Sequence, residues 1–530
     1  MPEVTLRPAT ADDLPGIVAV FLDCWRISYA EVLPAATIEA MTDDRAAALW
    51  HDALAAAAVP GSGLQVAVAD RRVLGVTRHA LEPEGGVNRG VVHSLYVSPA
   101  AQGLGLGARL LDASRAALER AGADQVVLWV FAANEPTRRF YQHQGWVPDG
   151  TTRTQPEFGE PELRLRHAGM AARIVGSGVP GCVLGVAVGD RRVVRFAGLS
   201  GPDGEAVTRD TVWDLASVTK VVGTTTALHR LAGLGRLSVD DPVTRWVPDF
   251  GGHPGTTLAD LLQHQAGLAE WQPIYLAPEV RAVPAADVGR RAAAAHAVVE
   301  SLPPVHPLRA GRHYSDLGFM VLGRVVEAVA GCPLDEAVWR LVAEPLGVGL
   351  RFGPVAGHVA TSALDDRVER GMVATGDPHP VAWPDDGFEW RTDPVRGVVN
   401  DGNCFHAFGG VAGHAGLFGT VDDLLDIGLA LSGPSELFDP AVTSRFLAPG
   451  VDPEQALGWR VAVLESSGRP EPLRWHPGFT GTAVGFVPDA GIAVAMATNR
   501  LLADPVPQTA DLWRQVLAAA PELIDQLEER

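Results

Sequence analysis

Polar and apolar positions along the chain switch between two periods, and their order predicts two successive folds. The first series opens with a strand, Val4–Arg7, and helical material over Asp12–Tyr29 and Ala35–Ala58. Strand periodicity follows at Leu64–Asp70 and Arg72–His79, then an apolar strand at Val91–Val97. A glycine-rich turn leads into Ala108–Ala121, where Leu110, Leu111, Ala113, Ala117 and Leu118 recur at helical spacing. A strand at Gln125–Phe131 and a short helix at Pro136–Gln144 complete it. Strands alternating with helices predict an α/β layer fold, a mixed central sheet with flanking helices.

The second series opens near Met170 with strands Gly181–Gly189 and Arg191–Ala197, joined at Gly189-Asp190. A helix is predicted over Ser217–Leu234, and long helices and loops fill the middle. Strands return at Thr480–Pro488 and Ile492–Asn499 around the turn Pro488-Asp489-Ala490-Gly491, and a helix closes the chain over Pro507–Leu527. This order predicts an α+β fold, an antiparallel sheet whose ends meet beside a helical region. The boundary is placed at Arg164–Ala172, which gives domains over 1–168 and 172–527. No long linker separates them, so close packing of the two is expected.

Length and charge sharpen this division. The chain has 530 residues, and a single core rarely grows beyond roughly 250–300. Hydrophobic residues make up 47% and charged residues 20%, an ordinary globular balance. The net charge of −20 lacks the basic footprint that nucleic acid or an anionic membrane needs, so neither is expected as a partner. Cys24, Cys182, Cys332 and Cys404 are far apart, with no metal-ligand spacing, and are read as free thiols. No basic segment followed by an apolar one opens the chain, and no run of about 20 apolar residues follows. The expectation is a cytoplasmic protein acting on small molecules without a metal.

The strand Val91–Val97 enters the turn Ser98-Pro-Ala-Ala-Gln102-Gly-Leu-Gly105-Leu-Gly107, which opens a helix. Such a turn leaves backbone N–H groups and the helix dipole free to hold an anion such as pyrophosphate. A dinucleotide site would use the same physics, but no acidic residue ends a second parallel strand about 20 residues on. Gln102-x-x-Gly105-x-Gly107 resembles the pyrophosphate loop of the GNAT N-acetyltransferases. The segment Asn134…Phe140-Tyr141-x-x-x-Gly145-Trp146 and the opening Arg7-Pro-Ala-Thr-Ala-Asp-Asp resemble that family too. The resemblance implies acetyl-CoA as co-substrate, lying in a gap between neighbouring strands with the backbone of Leu95, Tyr96 and Val97 along its pantetheine. Gln102, Gly103, Leu104, Gly105, Leu106 and Gly107 would hold the pyrophosphate and Asn134 would touch the cofactor arm. Tyr141 would protonate the leaving thiolate. Aromatic packing of Tyr141 and helix capping by Asn134 are the plainer alternatives. The general base is left open among His93, Glu82 and Glu84.

In the second domain, Ser217-Val-Thr-Lys220 stands at the start of an otherwise apolar helix. Residues three apart share a helix face, so the lysine amine can reach the serine hydroxyl. A lysine that acts as base must be neutral, which requires burial or nearby positive charge. Further on stand Tyr314-Ser315-Asp316 and Trp475-His476-Pro477-Gly478-Phe479-Thr480-Gly481. The three segments resemble, in order, the Ser-x-x-Lys, Tyr-x-Asn and Lys/His-Thr-Gly motifs of the class C β-lactamase and penicillin-binding-protein type of serine hydrolase. Leu261-Leu-Gln-His264-Gln-Ala-Gly267 and Gly409-Gly-Val-Ala-Gly-His414-Ala-Gly-Leu-Phe resemble other segments of that family, the second one an esterase-like branch. The resemblance implies Ser217 as nucleophile, Lys220 as its activating base, Tyr314 as proton relay and His476 as a polar aid. The backbone N–H groups of Ser217 and Phe479 would form the oxyanion hole.

Two residues depart from the motifs. Asp316 stands where Asn is usual, which puts a negative charge beside the site. Pro477 stands where Thr is usual and removes a strand donor, a change expected only on an edge strand. Both move the expectation from β-lactam hydrolysis toward an esterase or amidase. His264 and His414 are read as hydrogen-bonding loop residues, and specificity is expected in the loops Glu270–Pro284 and Gly371–Asn400. The leading expectation is a bifunctional enzyme that N-acetylates a small amine and hydrolyses or transfers an acyl group. The alternatives are a non-catalytic sensor or binding domain in one half, and an antibiotic self-resistance or tailoring role that includes β-lactam hydrolysis.

Overall fold

The computed structural model describes residues 4–83, 88–123, 125–156, 158–466 and 469–528. The chain divides into two compact units between Arg173 and Ile174. In the first, seven strands form one sheet: β1 (Thr5–Pro8), β2 (Gly63–Ala69), β3 (Arg72–Leu81), β4 (Arg89–Val97), β5 (Gln125–Phe131), β6 (Trp146–Thr154) and β7 (Pro161–His167). Their spatial order is β1-β2-β3-β4-β5-β7-β6. Among the described residues of this sheet only the β4–β5 pair is parallel.

Five helices of this unit bear on the argument: α1 (Leu14–Ile27), α2 (Ala35–Glu39), α3 (Asp43–Ala56), α4 (Leu106–Arg120) and α5 (Glu135–His143). The helical run expected over 35–58 is broken into α2 and α3, because Thr42 caps α3 by accepting a hydrogen bond from the Arg45 amide. Ile17, Phe21 and Trp25 on α1 pack with Trp50 on α3 and with Leu64, Val66 and Val76 of the sheet. Leu111 and Leu118 on α4 pack against Val92, Val126 and Leu128.

In the second unit a six-stranded antiparallel sheet runs in the order β15-β16-β17-β18-β8-β9. Its members are β8 (Gly181–Val188), β9 (Arg191–Gly198), β15 (Arg460–Ser466), β16 (Arg469–Pro477), β17 (Ala483–Val487) and β18 (Ile492–Thr498). The first and last strands of the unit meet where β18 pairs with β8. Short strands β10 (Trp213–Asp214), β11 (Arg351–Phe352) and β14 (Leu417–Gly419) form a small ladder, and β12 (Thr361–Ala363) pairs with β13 (Val395–Arg396). The helices used below are α6 (Thr226–Gly233), α7 (Leu258–Leu262), α8 (Asp316–Ala330), α9 (Arg367–Thr375), α10 (Val421–Leu431) and α11 (Thr509–Glu528).

The helix expected over 217–234 begins as a 3₁₀ turn at Ala216–Val218, continues as a π-helical segment over Lys220–Thr225, and becomes α-helical only at α6. Its Thr- and Gly-rich sequence favours regular helix weakly, and π segments recur at functional sites. The strand expected from Thr480 starts at Ala483, because residues 478–482 form a tight turn in which the Gly478 amide donates to the Thr482 carbonyl at 2.6 Å. The four cysteines are free thiols, and Cys332 alone is not fully buried. Among the described residues no single helix is long and apolar enough to cross a membrane.

Candidate functional site

In the first unit the two strands that flank the glycine-rich turn separate. β4 pairs with β5 only from Arg89↔Gln125 to Val92↔Leu128, although β4 runs on to Val97 and β5 to Phe131. On its other edge β4 stays paired with β3 through Thr77↔Leu95, Val76↔Tyr96 and Gly75↔Val97. The result is a wedge with Leu95–Val97 on one side. A bulge helps to open it, since Arg78 faces Ser94 while His79 faces Val92, which leaves His93 extra.

The turn Gln102–Gly107 lies at the end of this wedge. Gly105 is the N-cap of α4 at φ 75°, in the left-handed region, and Gly103 has φ 79°. Open space lies where a Cβ would stand at either glycine. Leu104 is exposed, Leu106 is buried at the helix start, and the Gln102 amide turns back to the Val97 carbonyl at 3.2 Å. Helix α4 therefore presents its N-terminal N–H groups and dipole to an open surface, which is what an anionic phosphate requires.

Asn134 is a helix cap: its side-chain oxygen accepts from the Thr137 amide at 3.2 Å at the start of α5. Tyr141 is buried, with its ring 5.3 Å from Phe140 and 6.3 Å from Trp146. Burial pushes its phenol well above the ordinary tyrosine value, so it keeps its proton. The His93 imidazole stands 3.1 Å from the Glu82 carboxylate. Burial lowers its pKa against the opposing pull of Glu82, so it is neutral at pH 7. Glu84 lies outside the described residues.

In the second unit the three motifs converge on one cleft. The Lys220 ammonium donates to Ser217 Oγ at 2.8 Å, lies 2.7 Å from Asp316 Oδ1 and stands 5.0 Å from the centre of the Tyr314 ring. Lys220 is fully buried while Ser217 is partly exposed on the cleft wall. Burial favours a neutral lysine, but Asp316 and Tyr314 outweigh it and raise the Lys220 pKa above its ordinary value. The condition of a neutral Lys220 is thus reversed. Asp316, at the start of α8, holds it as an ammonium.

Ser217 is presented under strain. Ala216 just before it has φ 45°, a conformation costly for a residue with a Cβ. Asp214 stabilises it by accepting from the Ala216 amide at 2.9 Å and from the Asn400 amide at 2.6 Å. The Thr480 and Thr482 hydroxyls donate to the carbonyls of Asp214 and Leu215 at 2.8 and 2.9 Å, which ties the 478–482 turn to this segment. Gly478 makes that close approach, since a Cβ there would come within 2.6 Å of the Leu215 carbonyl oxygen. Phe479 and Ser217 both line the cleft, and Arg500 holds the Phe479 carbonyl at 2.9 Å.

His476 is buried, with Nδ1 2.8 Å from the Pro477 carbonyl and, among the described residues, no hydrogen-bond partner on Nε2. Burial, with Arg460 and Lys220 nearby, drives its pKa far down, so it is a neutral group. Pro477 does not lie on an edge strand, as was expected: β16 has neighbours on both sides. The reason it fits is local. β15 begins opposite Trp475 (Arg460↔Trp475), so the outer side of His476 and Pro477 has no partner strand.

Arg460 was not marked by any motif. Its guanidinium lies 5.6 Å from the Tyr314 ring centre and 5.5 Å from that of Trp475. His264, at φ 57° just beyond α7, packs on Tyr314 at 4.6 Å and accepts from the Ser315 amide at 3.0 Å. His414 Nε2 lies 2.9 Å from Asp401. Both histidines take the hydrogen-bonding roles read for them.

The cleft has a volume of about 410 Å³. Glu270, Trp271, Met372, Asp377, Pro378 and Asn400 come from the two loops expected to set specificity; Asp365, Asp366, Glu369 and Asp401, which also line it, were not foreseen. Asp366 is clamped by Arg391 through Nε at 2.8 Å and the backbone amide at 2.9 Å, and the same guanidinium donates to the Val399 and Asn400 carbonyls. Glu270 Oε1 lies 3.2 Å from His306 and 3.4 Å from His313, a trio with ligand atoms within 4.8 Å of one another. The two imidazoles stack face to face at 3.5 Å with 8° between planes, so their lone pairs do not converge on one point, and the carboxylate bridges them.

Both units have known relatives. The family model described as Beta-lactamase matches residues 167–518, and the one described as Acetyltransferase (GNAT) family matches residues 22–146. An N-acetylmuramyl-L-alanine amidase of Bacillus subtilis (strain 168) is 29% identical over 411 residues, covering 71% of this chain and 89% of the relative. A putative D-alanyl-D-alanine carboxypeptidase of Escherichia coli (strain K12) is 29% identical over 320 residues, 55% of this chain and 70% of the relative. Among solved structures, EstCE1, a hydrolase with promiscuous acyltransferase activity, matches with TM-score 0.49 and 22% identity, over 66% of this chain and 96% of its own. A class C beta lactamase from Rhodobacter sphaeroides matches with TM-score 0.46 and 20% identity, over 66% and 97%.

Proposed function

Since the chain belongs to the Beta-lactamase family and carries a GNAT acetyltransferase domain ahead of that region, we propose that it is a bifunctional enzyme: a serine amidase or esterase joined to an acetyl-CoA-dependent N-acetyltransferase. The observation that carries the hydrolase reading is Ser217 Oγ at 2.8 Å from an ammonium that is itself fixed by Asp316 at 2.7 Å and faced by Tyr314.

With Lys220 charged, Tyr314 is assigned as the group that accepts the Ser217 proton. That step requires the phenolate of Tyr314, whose ring centre lies 5.0 Å from the Lys220 ammonium and 5.6 Å from the Arg460 guanidinium. Ser217 Oγ then bonds to the substrate carbonyl carbon, and the resulting oxyanion meets the amides of Ser217 and Phe479. As the leaving amine or alcohol departs it takes the proton from Tyr314, and water resolves the acyl-enzyme by the same exchange. Arg460 here stands in for a cation on β16, where His476 is neutral. The similar Bacillus protein is named for an amide substrate, and the amide bond is the class assigned here. Arg460→Gln is expected to slow acylation at least about tenfold, and Arg460→Lys to recover most of it; stopped-flow acylation of Ser217 checks both.

For the first unit, the separated strands and the left-handed glycines at the start of α4 fit acetyl-CoA. Bound there, it supplies an acetyl thioester for transfer to an amine. Leu95–Val97 would line the pantetheine, Gln102–Gly107 the pyrophosphate, and Tyr141, kept protonated by burial, would hold the proton for the departing thiolate. His93 with Glu82 would accept a proton from the amine. Gly105→Val forces a β-branched residue into the left-handed region at a cost of about 1–2 kcal/mol. The expected result is a rise of about tenfold in the acetyl-CoA KM with hydrolase turnover unchanged.

The experiment that tests the whole reading incubates the full chain with ester and amide probes and, separately, with acetyl-CoA and a panel of amines. A covalent adduct by intact mass and release of CoA thiol are the expected results. No adduct from any acyl probe would overturn the hydrolase half, and acetyl-CoA binding without thiol release from any amine would overturn the transferase half.

A further inference from the structure

The two amides assigned to the oxyanion hole belong to separate segments, and one residue joins both. Asp214 ends β10 and is 3% exposed. Its Oδ1 accepts from the Ala216 amide at 2.9 Å and its Oδ2 from the Asn400 amide at 2.6 Å. Its carbonyl accepts at 2.8 Å from the hydroxyl of Thr480, the residue after Phe479. The Ala216 bond holds the φ 45° conformation from which Ser217 follows. The Thr480 bond holds the turn that carries Phe479.

Both side-chain oxygens of Asp214 act as acceptors, a role that suits the carboxylate. The neutral acid would set its own O–H against one of the two N–H groups. Arg391, ahead of β13, and Asp401, after it, are the charges that act on Asp214, and Cys404 beyond Asp401 feels its charge and stays a neutral thiol. Lys220, on the segment that follows, is engaged by Asp316 at 2.7 Å. β12, β14 and the 478–482 turn, which border β10, carry no titratable side chain. Burial, with Asp401 as a like charge, pushes the Asp214 carboxyl up to about 6 against the two amide bonds and Arg391. A folded pKa above the unfolded value means that protonation favours the fold, a contribution lost as the pH rises through 6. Loss of activity on acidification therefore cannot come from unfolding through this group.

We propose that Asp214 is a positioning residue that gates the hydrolase by its charge. As a carboxylate it keeps Ser217 and the Phe479 turn in register. Once protonated it gives up one of its two amide bonds, the strained Ala216 relaxes, and Ser217 leaves its place beside the oxyanion donors. The inference rests on the reading of Ser217 as nucleophile and adds the group that regulates it. Asp214 is buried and does not line the cleft, so its effect falls on the acylation rate and not on substrate binding.

The test follows acylation of the full chain by p-nitrophenyl butyrate in stopped flow between pH 8 and pH 5, with tryptophan fluorescence reporting the folded fraction at each pH. The wild-type acylation rate is expected to fall with one proton around pH 6 while the chain stays folded. Asp214→Asn places an NH₂ group against one of the two amides at every pH. It is expected to slow acylation at pH 7.5 about tenfold or more, to leave the half-saturating ester concentration within about threefold, and to lose the fall near pH 6. Asp401→Asn removes the like charge and is expected to move the wild-type midpoint to lower pH; it decides the matter if Asp214→Asn does not fold. A flat wild-type profile overturns the proposal and leaves the hydrolase reading standing. So does a fall that persists at the same midpoint in folded Asp214→Asn, where a proton on Tyr314 would account for it, or, failing that variant, an unmoved midpoint in Asp401→Asn. Failure of the ester to acylate Ser217 in the wild type at any pH overturns the hydrolase reading and the proposal with it.

Discussion

Ser217→Ala is expected to abolish the acyl-enzyme mass shift and to lower ester and amide turnover at least about 10³-fold. The hydroxyl it removes is the oxygen within 2.8 Å of the Lys220 ammonium, on the wall of the cleft. What remains is binding and the oxyanion donors, which by themselves support only a small residual rate. Ser217, Lys220 and Tyr314 act on one proton, so their losses should not add. A Ser217→Ala/Lys220→Ala double variant is expected to be no slower than Ser217→Ala alone. Thiol release from acetyl-CoA in the same samples should be unaffected. A residual rate within tenfold of the wild type would place the nucleophile elsewhere.

The parts of the fold that were legible in the sequence are those built from local pattern. The β8–β9 and β17–β18 hairpins follow from apolar strands around Gly189-Asp190 and Asp489-Ala490-Gly491, where Gly189, Asp489 and Gly491 adopt the positive φ that such turns need. The β4–turn–α4 unit follows from an apolar strand, two left-handed glycines and a leucine stripe. By contrast β6 and β7 went unread, because Arg153, Glu162 and Arg164 break the apolar alternation and are satisfied by ion pairs across the strands. The first part of β16 went unread because Pro470 and Pro472 mark it as non-strand, and only the motif at Trp475–Gly481 pointed to a strand at its end.

The chemistry divides in the same way. The Ser217-x-x-Lys220 pair is one helical turn and shows in the spacing. Asp316 was recognisable as a departure from its motif, but its effect on Lys220 depends on a 2.7 Å contact between segments 96 positions apart. Arg460 reaches Tyr314 through sheet pairing, and Glu369 on α9 and Asp401 on a loop line the same cleft, with no fixed offset for a sequence pattern to hold. Asn134 gives the opposite lesson. Its place in a family motif and its role as a helix cap predict the same residue, and the contact the structure shows for it is the cap.

Arg391→Ala is expected to destabilise the second unit by about 3–5 kcal/mol at pH 7. The guanidinium is the clamp between α9 and the loop that follows β13. It joins Asp366 to the carbonyls of Val399 and Asn400, and it partly offsets the field of Asp366, Glu369 and Asp401. Removing it leaves Asp366, which is 4% exposed, as a buried charge beside like charges. Burial raises the Asp366 pKa, but His406 and Arg391 outweigh it and hold the carboxyl at about 2. A folded pKa below the unfolded value gives stability that is present above pH 4 and lost as the pH falls toward 2. The gap between wild type and variant should therefore narrow on acidification from pH 7 to pH 3, as measured by urea unfolding followed through tryptophan fluorescence. Arg391→Lys, which keeps the charge but not the planar fork, should fall between the two. The effect should also reach the nucleophile. The Asn400 amide that Arg391 positions donates to Asp214, and Asp214 holds the strained Ala216 in front of Ser217. Slower acylation in Arg391→Ala at a temperature where the chain is still folded would show that coupling, and an unchanged acylation rate would confine Arg391 to stability.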